Sequence, residues 1–127
     1  MARLATRSSD EPDRRVVLSK ATVRAADRLG LSGRELADIL GLSPATITRL
    51  HRGDYRLDPA HKSWELATLL VRLVRGLDSI AADDEAAARA WFDHYNEHLC
   101  AIPRERIGTV QGLVDTVAYV DAFRARI

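Results

Sequence analysis

A single cysteine, Cys100, occurs in the 127 residues, so no internal disulfide can form, and a reducing compartment is the natural expectation. No apolar run approaches the roughly 20 residues of a membrane-spanning helix. The N-terminus lacks the hydrophobic segment of a signal peptide. A cytoplasmic protein with no membrane partner is therefore expected. The net charge of +1 excludes a basic field over the whole molecule. No nucleophile–base pair, glycine-rich phosphate loop or paired-carboxylate cluster is evident. Enzyme is thus the least supported class, and no cofactor is implied.

What is present describes an ordinary folded chain, 46% apolar and 29% charged. Its length supports one compact domain or two small helical lobes sharing a core. Charge is unevenly divided. Residues 1–56 hold eleven Lys/Arg against seven Asp/Glu, whereas residues 57–127 hold eight against eleven. A basic front half suits a polyanion; an acidic back half suits another partner.

The stretch Ser32 to Tyr55 carries the densest local information. Ser32 followed three residues later by Glu35 is a capping box. Ser43 followed by Pro44 is an N-cap with proline at the first helical position. Gly41 permits a sharp turn between the two helices, and Gly53 is a stop. Leu36 and Leu40 share one face, Ile47 and Leu50 another, and Ala37 is small where two helices cross. This spacing predicts a helix-turn-helix. With Ile47 and Leu50 buried, Ser43, Pro44, Ala45, Thr48, Arg49 and Arg52 face outward, with Thr46 at the margin. The start of such a helix meets base edges in the major groove. Arg49 suits a guanine, and Ala45 and the Thr48 methyl suit thymine methyls. Arg34, Arg52 and Tyr55, with amides at the start of the first helix, suit phosphates. On these residues the chain resembles the Xre family of bacterial DNA-binding regulators. The competing reading is an αα-hairpin, or a helix-turn-helix without DNA binding.

Around this stretch the chain is all-α. Residues 1–17 read as a flexible arm, polar and interrupted by Pro12. Ser19 to Leu29 reads as a helix with Ser19 as N-cap and Gly30 as stop. Asp58-Pro59 is expected to open a long helix to about Ile80. Its stripe of Trp64, Ala67, Leu70, Val71, Val74 and Leu77 is widened by Leu66, Leu69, Leu73 and Ile80, so it is buried on more than one side. It is expected to be the shared spine between two lobes or part of a dimer interface. Asp83-Asp84 opens a helix from Glu85 to about Leu99, with Ala86, Ala90, Trp91, Tyr95 and Leu99 inward. Pro103 begins a single turn over Arg104-Glu105-Arg106. Thr109 caps a final helix to about Arg126, with Val110, Leu113, Val114 and Val117 on one face. Tyr119, Val120, Phe123 and Ile127 extend its apolar surface beyond what docking on one neighbour needs, which points to a partner.

His94-Tyr95-Asn96-Glu97-His98 matches the H-x-x-E-H zinc pattern. Two histidines four apart on a helix share a face and can bind one metal. No third ligand is obvious, so surface or half-buried histidines on an amphipathic helix, with no metal, is the preferred reading.

The back half carries a second resemblance. Trp91, Asn96, Leu99, Pro103, Ile107, Thr109, Gly112, Leu113, Val117, Tyr119, Val120, Asp121 and Arg124 are similar to the toxin-binding domain of the Xre/MbcA/ParS-like antitoxins. The Gly-Gly-x-x-Pro segment of many members reads Leu99-Cys100-Ala101-Ile102-Pro103 here, which alters the local loop. Together the two resemblances cover residues 18 to 127. They imply residues 18–57 as a DNA-binding domain, 58–80 as a connecting helix and 81–127 as a toxin-binding domain. They further imply a type II antitoxin that covers the active site of a RES-domain, NAD-consuming toxin and represses its own operon at operator DNA. Tyr119, Val120, Phe123, Arg124, Arg126 and Ile127 would be the toxin-binding residues. A homodimer is expected, because palindromic operators match two-fold symmetry. The alternative is a stand-alone Xre-type repressor whose C-terminal half only dimerises or senses a ligand.

Overall fold

The computed structural model describes residues 13–126. Among the described residues seven helices follow one another: α1 (Arg14–Leu29), α2 (Gly33–Leu40), α3 (Pro44–Arg52), α4 (Lys62–Ile80), α5 (Glu85–Asp93), α6 (Pro103–Arg106) and α7 (Val110–Arg124). The only β-type pairing among the described residues is an isolated bridge between Asn96 and Ala101. The expected all-α class holds. Most of the expected arm, like the toxin-binding position Ile127, lies outside the described residues.

α1 starts before the expected Ser19. The Asp13 side chain accepts from the Arg15 amide at 2.9 Å and serves as the N-cap. Residues 14–17, expected in the arm, are therefore helical. Ser19 sits inside the helix, buried, and its Oγ accepts from the Leu57 amide at 2.9 Å. Its polarity ties the segment after α3 to α1 and does not mark a helix start. α1 buries Thr22, Ala25, Ala26 and Leu29 and ends at Gly30.

α2 and α3 begin as their caps predict. Ser32 Oγ accepts from the Glu35 amide at 3.1 Å, and the Glu35 carboxylate accepts from the Ser32 amide at 2.9 Å. Ser43 Oγ accepts from the Thr46 amide at 3.1 Å, with Pro44 opening the helix. Between them Gly41 adopts φ +68°, a left-handed conformation in which a Cβ is strained.

α4 begins at Lys62, later than the expected Pro59. Asp58 Oδ1 accepts from the Ala60 amide at 2.9 Å, closing a turn over Asp58-Pro59-Ala60 that delays the helix. α4 is nonetheless the expected spine. It packs against α1 and α2 of the front half and against α5 and α7 of the back half. One continuous apolar cluster spans both, from Leu29, Leu36 and Ile47 to Phe92, Leu113 and Val120. α4 and α7 cross closely at Gly76, where a Cβ would stand 2.7 Å from Val120 Cγ1.

The back half departs from expectation in register. α5 ends at Asp93, because His94 takes extended backbone at φ −109°, ψ 151°. Ala88 and Phe92 are its buried residues. Ala86 and Ala90, expected inward, are exposed, and Trp91 is half-buried. Tyr95 lies beyond the helix and is 63% exposed. On α7 the buried face is Gly112, Leu113, Thr116, Val117 and Val120, while Val110 and Val114 are exposed.

The two halves are also joined by polar contacts. Arg104 of α6 donates from Nη2 to the Leu29 carbonyl at 2.9 Å and from Nη1 to both Glu35 oxygens at 3.0 and 3.1 Å. Its Nε donates to Asp93 at 2.7 Å. Arg89 donates to the carbonyls of Arg28 and Asp27 at 2.9 and 2.8 Å. Cations at the C-terminal end of α1 satisfy carbonyls that have no partner inside the helix.

Candidate DNA-reading helix and partner-binding face

The outer side of α3 carries the residues picked out for DNA. Ser43, Pro44, Ala45, Thr48, Arg49 and Arg52 are exposed and Thr46 is half-buried, while Ile47 and Leu50 are buried. Two of the polar groups are held in place. Thr48 Oγ1 donates to the Pro44 carbonyl at 3.2 Å, which commits the hydroxyl to the helix's own backbone. Arg49 Nη2 donates to Thr46 Oγ1 at 3.2 Å, and its guanidinium stands 6.0 Å from the centre of the half-buried Tyr55 ring. Arg49 is thus supported from both sides before any partner arrives. Arg34 is exposed in the first turn of α2. The Glu35 amide there is already taken by Ser32, which leaves the Gly33 and Arg34 amides for an anion.

The expected partner residues do not form one surface. Tyr119 and Phe123 join an aromatic group with Trp91 of α5 and His98 of the following loop. Trp91 and Tyr119 stack with centroids 6.3 Å apart, His98 and Tyr119 at 5.6 Å, and Tyr119 and Phe123 lie 6.5 Å apart. Phe123 is 42% exposed. Beside them opens an apolar cavity of about 260 Å³ between the end of α4, α5 and α7, lined by Leu77, Ile80, Ala87 and Trp91 among others. Val120 is a correction. It is 1% exposed and stands against Gly76, so it belongs to the core and reaches the partner face only as part of the lining of that cavity. Arg124 lies in a different groove, between α1, α4 and α7, with Arg14, Trp64, Arg72 and Arg75. Arg126 is exposed just past the end of α7.

Residues 8–72 match the model of the antitoxin Xre-like helix-turn-helix domain, and residues 76–126 match that of the antitoxin Xre/MbcA/ParS C-terminal toxin-binding domain. The chain belongs to the Xre/MbcA/ParS-type antitoxins. No curated protein matches it closely enough to count as a relative. As an antitoxin of this build it is a regulatory protein and not an enzyme.

The antitoxin's histidine pair has a plain structural account. Because α5 stops at Asp93, His94 and His98 do not share a helix face. The His94 ring contacts the Ala90 carbonyl and the His98 ring stacks on Tyr119. No group of three metal-ligating side chains occurs among the described residues. No helix described is long and apolar enough to cross a membrane.

Sequence reasoning missed two contributors. Trp91 was expected inward and instead lies half-buried in the aromatic group. For His98 the sequence weighs a metal ligand against a surface or half-buried helix residue, and neither reading places it on Tyr119. Neither residue's partner, Tyr119, is near it in sequence, and spacing alone carries no signal for such a contact.

Proposed function

We propose that this antitoxin neutralises a RES-domain toxin that consumes NAD, by covering its active site, and represses its own operon by binding operator DNA as a homodimer in the cytoplasm. The observation that carries the reading is the arrangement of two separate faces on one continuous core. A supported arginine stands on the outer side of α3, and a partly exposed aromatic group rims an apolar cavity on α5 and α7. The choice of a RES-domain partner rests on the resemblance in the C-terminal half.

In this reading Ser43, Pro44, Ala45, Thr46, Thr48, Arg49 and Arg52 meet the major groove, and Arg34 and Tyr55 meet phosphates. Tyr119 and Phe123 anchor the toxin, with Trp91 beside them, because large aromatics in desolvated pockets dominate protein interfaces. Arg124, Arg126 and Ile127 would follow at the chain end. Val120 acts only through the core and the lining of the cavity.

The test is co-expression with the adjacent gene, followed by a growth assay and mass measurement of the purified complex. Rescue of growth with a stable complex, and no NAD loss in its presence, is the expected result. A chain that binds its promoter but holds no neighbour-encoded protein would instead be the stand-alone repressor.

A further inference from the structure

Arg104 lies outside the matched DNA-binding domain, yet four of its five hydrogen bonds are to that domain. Its guanidinium takes the capping-box carboxylate of α2, the Leu29 carbonyl and, at 3.3 Å, the Gly30 carbonyl. On its other side it is fixed by Asp93 at 2.7 Å and stands 5.0 Å from the centre of the Phe92 ring. The side chain is 25% exposed. We infer that Arg104 is a positioning residue for operator binding: through it the toxin-binding domain sets the placement of the DNA-reading helix pair. This rests on the DNA-binding part of the proposed function.

The chain of contact is short. Glu35 is the residue whose carboxylate closes the N-terminus of α2, and the same carboxylate accepts from Arg104. The turn from Gly30 to Ser32 is therefore gripped at both ends, at the last carbonyls of α1 and at the first residues of α2. α2 in turn packs directly on α3. A planar guanidinium meets several acceptors at fixed angles, so it specifies orientation as well as attraction; an ammonium at the same place supplies charge without the fork. Geometry of that kind matters for a reading helix, because base-edge hydrogen bonds fail when the helix shifts or turns in the groove.

The experiment uses the full chain with Arg104→Met, Arg104→Lys and Asp93→Asn. Arg28→Met is the control, since Arg28 ties α1 to Asp78 and the Asp83 carbonyl but does not touch α2. Two quantities are read below the unfolding temperature: residue-resolved amide exchange, and affinity for the duplex upstream of the chain's own coding sequence in a mobility shift at fixed salt. Arg104→Met is expected to speed exchange across residues 31–40 at least ten-fold and to weaken binding at least ten-fold, with α4 exchange unchanged. Arg104→Lys and Asp93→Asn, which keep the fold if Arg104→Met does not, should move both quantities the same way by less. Arg28→Met should move neither. Unchanged exchange over α2 in the Arg104 variants overturns the inference. So does faster exchange with unaltered binding, or an Arg28→Met effect as large as that of Arg104→Met. A wild-type chain that ignores the duplex refutes the DNA reading alone, and the exchange measurement still decides whether Arg104 places α2.

Discussion

Arg49 concentrates most of what a single side chain can do on the DNA-facing side. It is exposed, hydrogen-bonded to Thr46 and placed over Tyr55, so its rotamer is restricted in the free protein. Restriction before binding lowers the entropy lost on binding. Arg49→Ala is expected to weaken operator binding by roughly 1–3 kcal/mol and to relax preference at one base pair. A mobility shift with single-base operator variants reads both; unchanged affinity and preference would remove Arg49 as a reader. Tyr55→Ala tests the support separately. It should weaken binding without changing which base is preferred, because Tyr55 is read here as a phosphate contact and a platform.

Glu35 makes a pH prediction at the same level. Burial pushes its carboxyl up, but the Ser32 amide and the Arg104 guanidinium more than offset this, and it settles below its ordinary value of 4.5. The unfolded chain therefore binds the proton more readily than the folded chain. Stability from this group is present above the ordinary value and is lost as pH falls through the lowered one. In urea titrations across pH, the advantage of wild type over Glu35→Gln should shrink as pH drops below 4.5. An advantage that stays constant into acid would mean that the carboxylate's charge does not stabilise the fold.

Among the helices, local chemistry and packing have different reach. The starts of α2, α3 and α7 follow from side chains within three residues: Ser32, Ser43 and Thr109 each accept from a backbone amide three positions on. Such contacts are written in the sequence and were legible there. The buried side of α5 was not. Alanines occupy so many of its positions that no single stripe stands out, and only packing against α1, α4 and α6 selects Ala88 and Phe92. Val120 failed as a surface residue for a related reason. α7 is apolar around much of its girth, and the absent side chain of Gly76, on another helix, decides which part is covered. That contact makes a prediction. Gly76→Leu cannot be accommodated beside a stiff β-branched neighbour and should destabilise by about 1–3 kcal/mol, seen as a lower urea midpoint. A midpoint equal to wild type would show that α4 and α7 separate at no cost.

For the whole molecule, the two matched domains share one core through α4, so neither half is expected to move freely against the other. Deleting Ala122 to Ile127 removes Phe123 and the chain end but no fully buried side chain among the described residues. The truncated chain should keep its helical circular dichroism and fail to restore growth beside the toxin. Growth restored by that variant would move the inhibitory surface away from the end of α7. A loss of helix signal would instead make these residues part of the fold.

Taken by itself, the sequence determined the helical class, the caps of α2, α3 and α7, the glycine stops and the outward residues of α3, because each depends on groups within about one helical turn. It also carried the family resemblance in both halves. Only the tertiary structure decided which faces of α5 and α7 are covered. It alone separated Arg124 from Tyr119 and Phe123, and placed Arg104 against Leu29, 75 positions away. The physical reason is range. A cap is chosen by its neighbours along the chain, whereas a close helix crossing or a guanidinium on distant carbonyls exists only once the core has brought those segments together.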